Sequence, residues 1–232
     1  MVNHLVEFPL GLHCLIIYPD LTTLREFYSY YIQKQIKEKK ELVFVSPFYE
    51  TTDSVRHNLS NGYKTIDVDK YERQEKKLVI MDSLDKYLGQ NKGKGKGDKG
   101  KVSISGGEDV VVTAAVAVVG DASNGTVGSR VKVESQWWSY NEQMIKHAAK
   151  MGNRGLSILG DMGAFYYMGK AKELLEYESS LPKQFDANLN LNLNLNLKGL
   201  CLYHQTDFDK LSEEQKQKLV KHHGMAVLLQ AH

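Results

Sequence analysis

Residues Leu12 to Leu59 read LHCLIIYPDLTTLREFYSYYIQKQIKEKKELVFVSPFYETTDSVRHNL. An apolar strand, a short loop, an amphipathic helix and a second apolar strand follow one another, which is the layout of the first unit of a nucleotide-binding α/β domain. The residues that would grip a phosphate are missing.

A phosphate-binding loop needs glycines, so that consecutive N–H groups can curl around the anion, and a lysine for the terminal phosphates. Here the loop is Pro19, Asp20 and Leu21. Proline has no N–H to donate, and the aspartate repels an anion. Leu21 stands where the lysine would precede the Thr22 and Thr23 pair. Those threonines open a helix that carries Leu24, Phe27, Tyr28, Tyr31 and Ile32 on one side. The helix start survives and the anion cradle does not, which argues against ATP hydrolysis.

Outward from this unit, strand patterns fall at Leu12 to Tyr18, Leu42 to Ser46, Leu78 to Met81, Leu156 to Leu159, Leu200 to Tyr203 and Met225 to Leu229. Helical patterns cover Thr22 to Lys39, Thr52 to Ser60, Gln136 to Lys150, Gly169 to Ser179 and Ser212 to His222, the last with Ser212 and Gln215 spaced as a capping box. Short apolar strands alternating with helices predict a mostly parallel sheet covered by helices on both faces, a three-layer α/β domain spanning residues 1–232.

Two segments break the rhythm. Gly89 to Ser135 begins in the lysine and glycine repeat NKGKGKGDKGK and continues as small residues, and it reads as a low-complexity insertion. Within it, Val110 to Val119 is a candidate strand or hairpin arm. Gly95, Gly100 and Lys101 mimic a phosphate loop, but Val102 fills the hydroxyl position and no strand leads in. The second segment, ANLNLNLNLNLK at Ala187 to Lys198, alternates leucine and asparagine and fits either an edge-strand extension or a loop.

The net charge of +2 arises from the insertion, where five lysines face one aspartate between Lys92 and Lys101. The rest of the chain is slightly acidic, which excludes a generally basic surface and direct nucleic-acid binding by the folded part. The two cysteines, Cys14 and Cys201, each sit in an apolar run and read as buried thiols of a reduced compartment. No stretch approaches the ~20 apolar residues of a membrane span, and no basic-then-apolar leader opens the chain. A cytoplasmic protein away from the membrane is the expectation.

The run continues through IDVDKY and LVIMDSLDKYL to GDMG at Gly160 to Gly163, ELLEYE at Glu173 to Glu178 and LCLYHQTDF at Leu200 to Phe208. With His13 in the first strand, this order resembles the MEDS domain, the sensory domain named for methanogens, methylotrophs and the DcmR regulator of dichloromethane metabolism. The resemblance covers nearly the whole chain outside the two low-complexity segments. It implies a sensor of small hydrocarbon-derived ligands whose layout is similar to RecA- and KaiC-like ATPases with a degenerate phosphate loop. The chain departs from the pattern through its long insertion and through the absence of a helix-turn-helix, so the signal would pass to a regulatory partner or a second copy.

Ligands in open α/β sheets bind where loops converge at the carboxyl ends of the strands. The candidates there are Tyr18, Asp20, Thr22 and Thr23 after the first strand, Ser46 and Tyr49 after the second, Asp161, Met162 and Phe165 after the fourth, and Tyr203 and His204 after the fifth. Tyr18, Tyr49, Met162, Phe165 and Tyr203 would form apolar walls, with Asp161 or His204 orienting the ligand. In the plainer alternative, Asp161 caps its turn, the threonines cap their helix and the tyrosines fill the core.

No metal is expected. His13 and Cys14 face opposite ways on one strand, as do Cys201 and His204 on another, and His222 and His223 are explained as a helix terminus. No G-x-S-x-G or other nucleophile motif is present, so no catalytic residue and no cofactor is assigned. Two other functions stay open: a residual nucleotide-binding enzyme with Asp82 or Asp161 positioning magnesium, and a protein interaction module that uses an exposed sheet edge.

Overall fold

The computed structural model describes residues 8–9, 11–88, 143–185 and 195–231. Six parallel strands form one sheet: β1 (His13–Tyr18), β2 (Leu42–Ser46), β3 (Leu78–Ile80), β4 (Gly155–Asp161), β5 (Asn196–His204) and β6 (Met225–Leu228), in the order β3-β2-β4-β5-β1-β6. Every residue of β1, β2 and β4 is buried, as strands covered on both faces must be. The expected three-layer α/β fold is therefore present.

The order decides which face each helix covers. From β1 the chain steps one way along the sheet to β2 and β3, and from β3 it steps back to β4, β5 and β6. Right-handed crossovers then place helices of the first half on one face and those of the second half on the other. Accordingly, α1 (Leu21–Lys34) and α2 (Thr52–Asn61) pack Phe27, Tyr31, Val55 and Leu59 against Cys14, Ile16 and Val43. On the opposite face lie α3 (Ser83–Leu88), α4 (143–150), α5 (Gly163–Tyr167), α6 (Ala171–Ser180), α7 (Gln205–Phe208) and α8 (Glu213–His222), against Leu15, Ile17, Phe44 and Cys201.

Local chemistry sets the boundaries. Asp20, in extended conformation, caps α1 by accepting from the Thr23 N–H at 2.8 Å, so the helix starts one residue ahead of the threonine pair. The pattern expected to run to Lys39 widens into a π-helical turn at Gln35–Lys39 and ends at Lys40 with φ 60°. Ser212 and Gln215 form both arms of the capping box on α8. The helix expected at Gly169 to Ser179 is α6, which starts at Ala171 because Gly169 takes φ 66° and separates it from the short α5, a helix the sequence pattern did not suggest.

The Val110 to Val119 arm, the whole Gly89 to Ser135 insertion and most of the leucine-asparagine repeat lie outside the described residues. The described end of that repeat corrects one expectation. Asn196, Leu197 and Lys198 begin β5, which sits between β4 and β1 in the middle of the sheet, so they extend a central strand.

Lys198 is the reason the repeat ends there. Its ammonium, buried under α1, donates to Glu41 Oε1 at 2.6 Å and to Gln35 Oε1 at 3.0 Å. Ser157 donates to the other Glu41 oxygen at 2.6 Å, and Tyr31 meets Ser157 at 2.9 Å. The π turn places Gln35 in this network. Removing one member of such a pair leaves an uncompensated buried charge, whereas removing both leaves none. We expect Lys198→Met to lower unfolding free energy in urea by ~3 to 5 kcal/mol and Lys198→Met with Glu41→Leu to recover most of that loss.

Candidate ligand site and a buried polar cluster

The loop leaving β1 turns to one face and the loop leaving β5 turns to the other, which opens a crevice between their carboxyl ends; β2 and β4 repeat the arrangement. At these ends stand Tyr18, Ser46, Asp161 and His204. Five side chains converge. Tyr18 donates its hydroxyl to Asp161 Oδ2 at 2.9 Å, Tyr49 donates to Asp207, and the His204 ring lies 5.2 Å from Tyr18 and 5.0 Å from Tyr49, centre to centre.

Asp161 is the hub. It accepts from the Gly163 N–H at 2.9 Å and from the backbone of Phe48 and Tyr49. Gly163 permits this close approach, since a Cβ there would stand 2.4 Å from the Phe48 ring. Burial pushes the Asp161 carboxyl up to about 6, against hydrogen bonds that favour its ionised form.

The remaining expected residues lie elsewhere. Asp20, Thr22 and Thr23 form the start of α1, where Asp20 bonds both the N–H and the hydroxyl of Thr23. Ser46 is buried, with no hydrogen-bond partner for its hydroxyl among the described residues. Met162, Phe165 and Tyr203 are core side chains of the face that carries α5 to α8. Tyr203 donates to Glu178 Oε1 at 2.7 Å.

Free space lies on that same face. A cavity of about 20 Å³ is bounded by Ile145, Ile158, Met162, Tyr177, Leu181 and Phe185, with His13, Lys86, Tyr87 and Cys201 as its polar members. Two glycines stand in its floor. Gly160 and Gly199 leave the sheet bare on neighbouring strands, and a Cβ on Gly160 would stand 2.1 Å from the Tyr87 hydroxyl. Burial pushes the Lys86 ammonium down to about 7, and that ammonium donates to the Tyr87 hydroxyl at 3.0 Å.

At one wall of the cavity, four buried groups from four elements meet: His13 on β1, Glu178 on α6, Cys201 on β5 and His223 between α8 and β6. Their ligand-type atoms all lie within 4.8 Å of one another. His13 Nε2 is 3.3 Å from Cys201 Sγ and 3.5 Å from Glu178 Oε2, and His223 Nε2 is 3.4 Å from the same oxygen. Burial alone would raise the Glu178 pKa, but the two adjoining imidazoles hold the carboxyl well below the usual range. Burial lowers that of His13.

The cluster corrects the expectation, drawn from spacing along single strands, that such groups could not converge: each element supplies one residue. Glu178 is a member that spacing did not suggest. Cys201, expected as an inert thiol, lies 3.5 Å from the carboxylate. A faint signal existed: His13 and Cys201 both interrupt apolar strands that the sheet makes neighbours. No family model matches this chain, and no curated protein is similar to it.

A raised folded-state pKa means that the protonated Asp161 stabilises the fold fully below the ordinary 3.8 and that this contribution is lost as pH rises through 6. Asp161→Asn removes the titration. The stability of the native chain relative to this variant is expected to fall by roughly 2 to 3 kcal/mol between pH 4 and pH 7, read from urea unfolding of both proteins across that range.

Proposed function

We propose that this chain is a non-catalytic sensory domain that binds a very small, mainly apolar molecule and relays its presence to a regulatory protein or a second copy of itself. The observation that carries this reading is the cavity: apolar walls with a few polar groups, over a sheet floor that includes Gly160 and Gly199. Its volume is just above the ~10–15 Å³ that admits one water-sized molecule, which suits a ligand of one or two carbon atoms.

The start of α1 supports the same reading. Asp20 takes up the Thr23 N–H and places a carboxylate where a phosphate would be bound. The rival magnesium role for Asp161 is disfavoured, because both of its oxygens are already bonded inside the protein. Asp82 likewise accepts from the Leu84 N–H at 2.8 Å. The MEDS-like order of motifs and a degenerate RecA-like layout accord with a domain that kept the architecture of a nucleotide-binding fold and exchanged its ligand.

The test is thermal unfolding in the presence of one- and two-carbon compounds, dichloromethane first. Ligand at 100 times Kd contributes about 2.7 kcal/mol, which raises Tm by ~5 to 10 °C in a chain of this size. Ile145→Phe fills the cavity and is expected to abolish the shift, while Ile145→Val leaves room and keeps it. An equal shift in the phenylalanine variant, or none in the native chain across the series, would refute the assignment.

A further inference from the structure

We propose that His13, Glu178, Cys201 and His223 form a tetrahedral zinc site beside the cavity. This site stands independently of the small-molecule reading. Zinc bonds of about 2.0 to 2.3 Å place tetrahedral ligand atoms ~3.3 to 3.6 Å apart. Four of the six separations match, His13 Nε2 to Cys201 Sγ at 3.3 Å, His13 Nε2 to Glu178 Oε2 at 3.5 Å, Cys201 Sγ to Glu178 Oε2 at 3.5 Å and His223 Nε2 to Glu178 Oε2 at 3.4 Å, and the other two are within 4.8 Å.

The surrounding bonds orient these groups as ligands. His223 Nδ1 lies 2.8 Å from the Leu219 carbonyl, which can only accept, so Nδ1 carries a proton and Nε2 is the ring atom left to bind a metal. Nε2 has no aligned hydrogen bond of its own and stands 3.4 Å from Glu178 Oε2, the spacing of two atoms that share one metal ion. Tyr203 holds Glu178 Oε1 at 2.7 Å and leaves Oε2 for the metal. A carbonyl behind the imidazole and a phenol behind the carboxylate are the outer partners such ligands commonly have.

Charge and softness select the ion. One thiolate and one carboxylate neutralise a divalent cation, so the four buried residues hold it with no net charge, and the thiolate with two imidazoles favours zinc over magnesium or calcium. His13 and Cys201 also line the cavity, so a molecule held there lies against two of the ligands.

The full chain, stripped with a chelator and titrated with cobalt(II) as a spectroscopic substitute, tests this. One equivalent is expected to give the intense visible bands of tetrahedral cobalt and a thiolate-to-cobalt charge-transfer band, both displaced by zinc. Cys201→Ser should lose the charge-transfer band and weaken zinc binding by about 100-fold or more, beyond the 10–100-fold typical of outer-partner losses. His222→Gln, which alters a neighbouring ring bonded to the Leu181 carbonyl, should bind like the native chain. Should Cys201→Ser not fold, the native cobalt spectrum decides alone. Weak octahedral-type bands, no thiolate band, or no stoichiometric binding would overturn the site.

Discussion

A charge taken out of water must find its opposite within the protein, and this sheet buries a carboxylate on each of its two faces. Glu41 lies beneath α1, and Glu178 lies beneath the helices of the second half. Each draws partners from distant parts of the sequence. Glu41 joins the end of the π turn to β4 and β5 through Ser157 and Lys198. Glu178 ties α6 to β1, β5 and the entry of β6 through His13, Cys201, Tyr203 and His223. Hydrophobic burial supplies most of the driving force for such a fold but is indifferent to small slips. The two polar centres are directional, and both meet on β5, which carries Lys198 towards one face and Cys201 and Tyr203 towards the other.

The carboxyl edge, where phosphates would sit, is closed by the Asp20 cap and by the bonds around Asp161. A cavity lies further in, on the face of α3 to α6, where Gly160 and Gly199 let Tyr87 and Phe185 come close to the sheet. A ligand held there would touch the undersides of helices, and a small displacement of α6 would be felt at Glu178 and, through it, at three strands.

Much of the architecture was legible in the chain because its strands are continuous apolar runs and its helices have strong starts. The parallel sheet, the α1 helix and the Ser212 capping box arise from local patterns. What failed were features decided at a distance. The short α5 carried no helical pattern of its own, and it is held by its place between β4 and the positive φ at Gly169. The expected wall of Tyr18, Tyr49, Met162, Phe165 and Tyr203 divided because alternation sends strand-end side chains to opposite faces. The buried cluster was illegible because each of its members comes from a different element, and only the strand order brings them together.

The lysine that closes the leucine-asparagine tract has a further effect. One Asn-Leu unit equals one period of a strand, so gaining or losing a unit changes no inward or outward assignment in the rest of β5. Apolar packing alone would let such a tract slide along its neighbours two residues at a time. Lys198 forbids the slide, because any shift strands Glu41 without its cation. A single ionic anchor thus holds Gly199, Cys201 and Tyr203 in register with their neighbours, whatever number of Asn-Leu units precedes them.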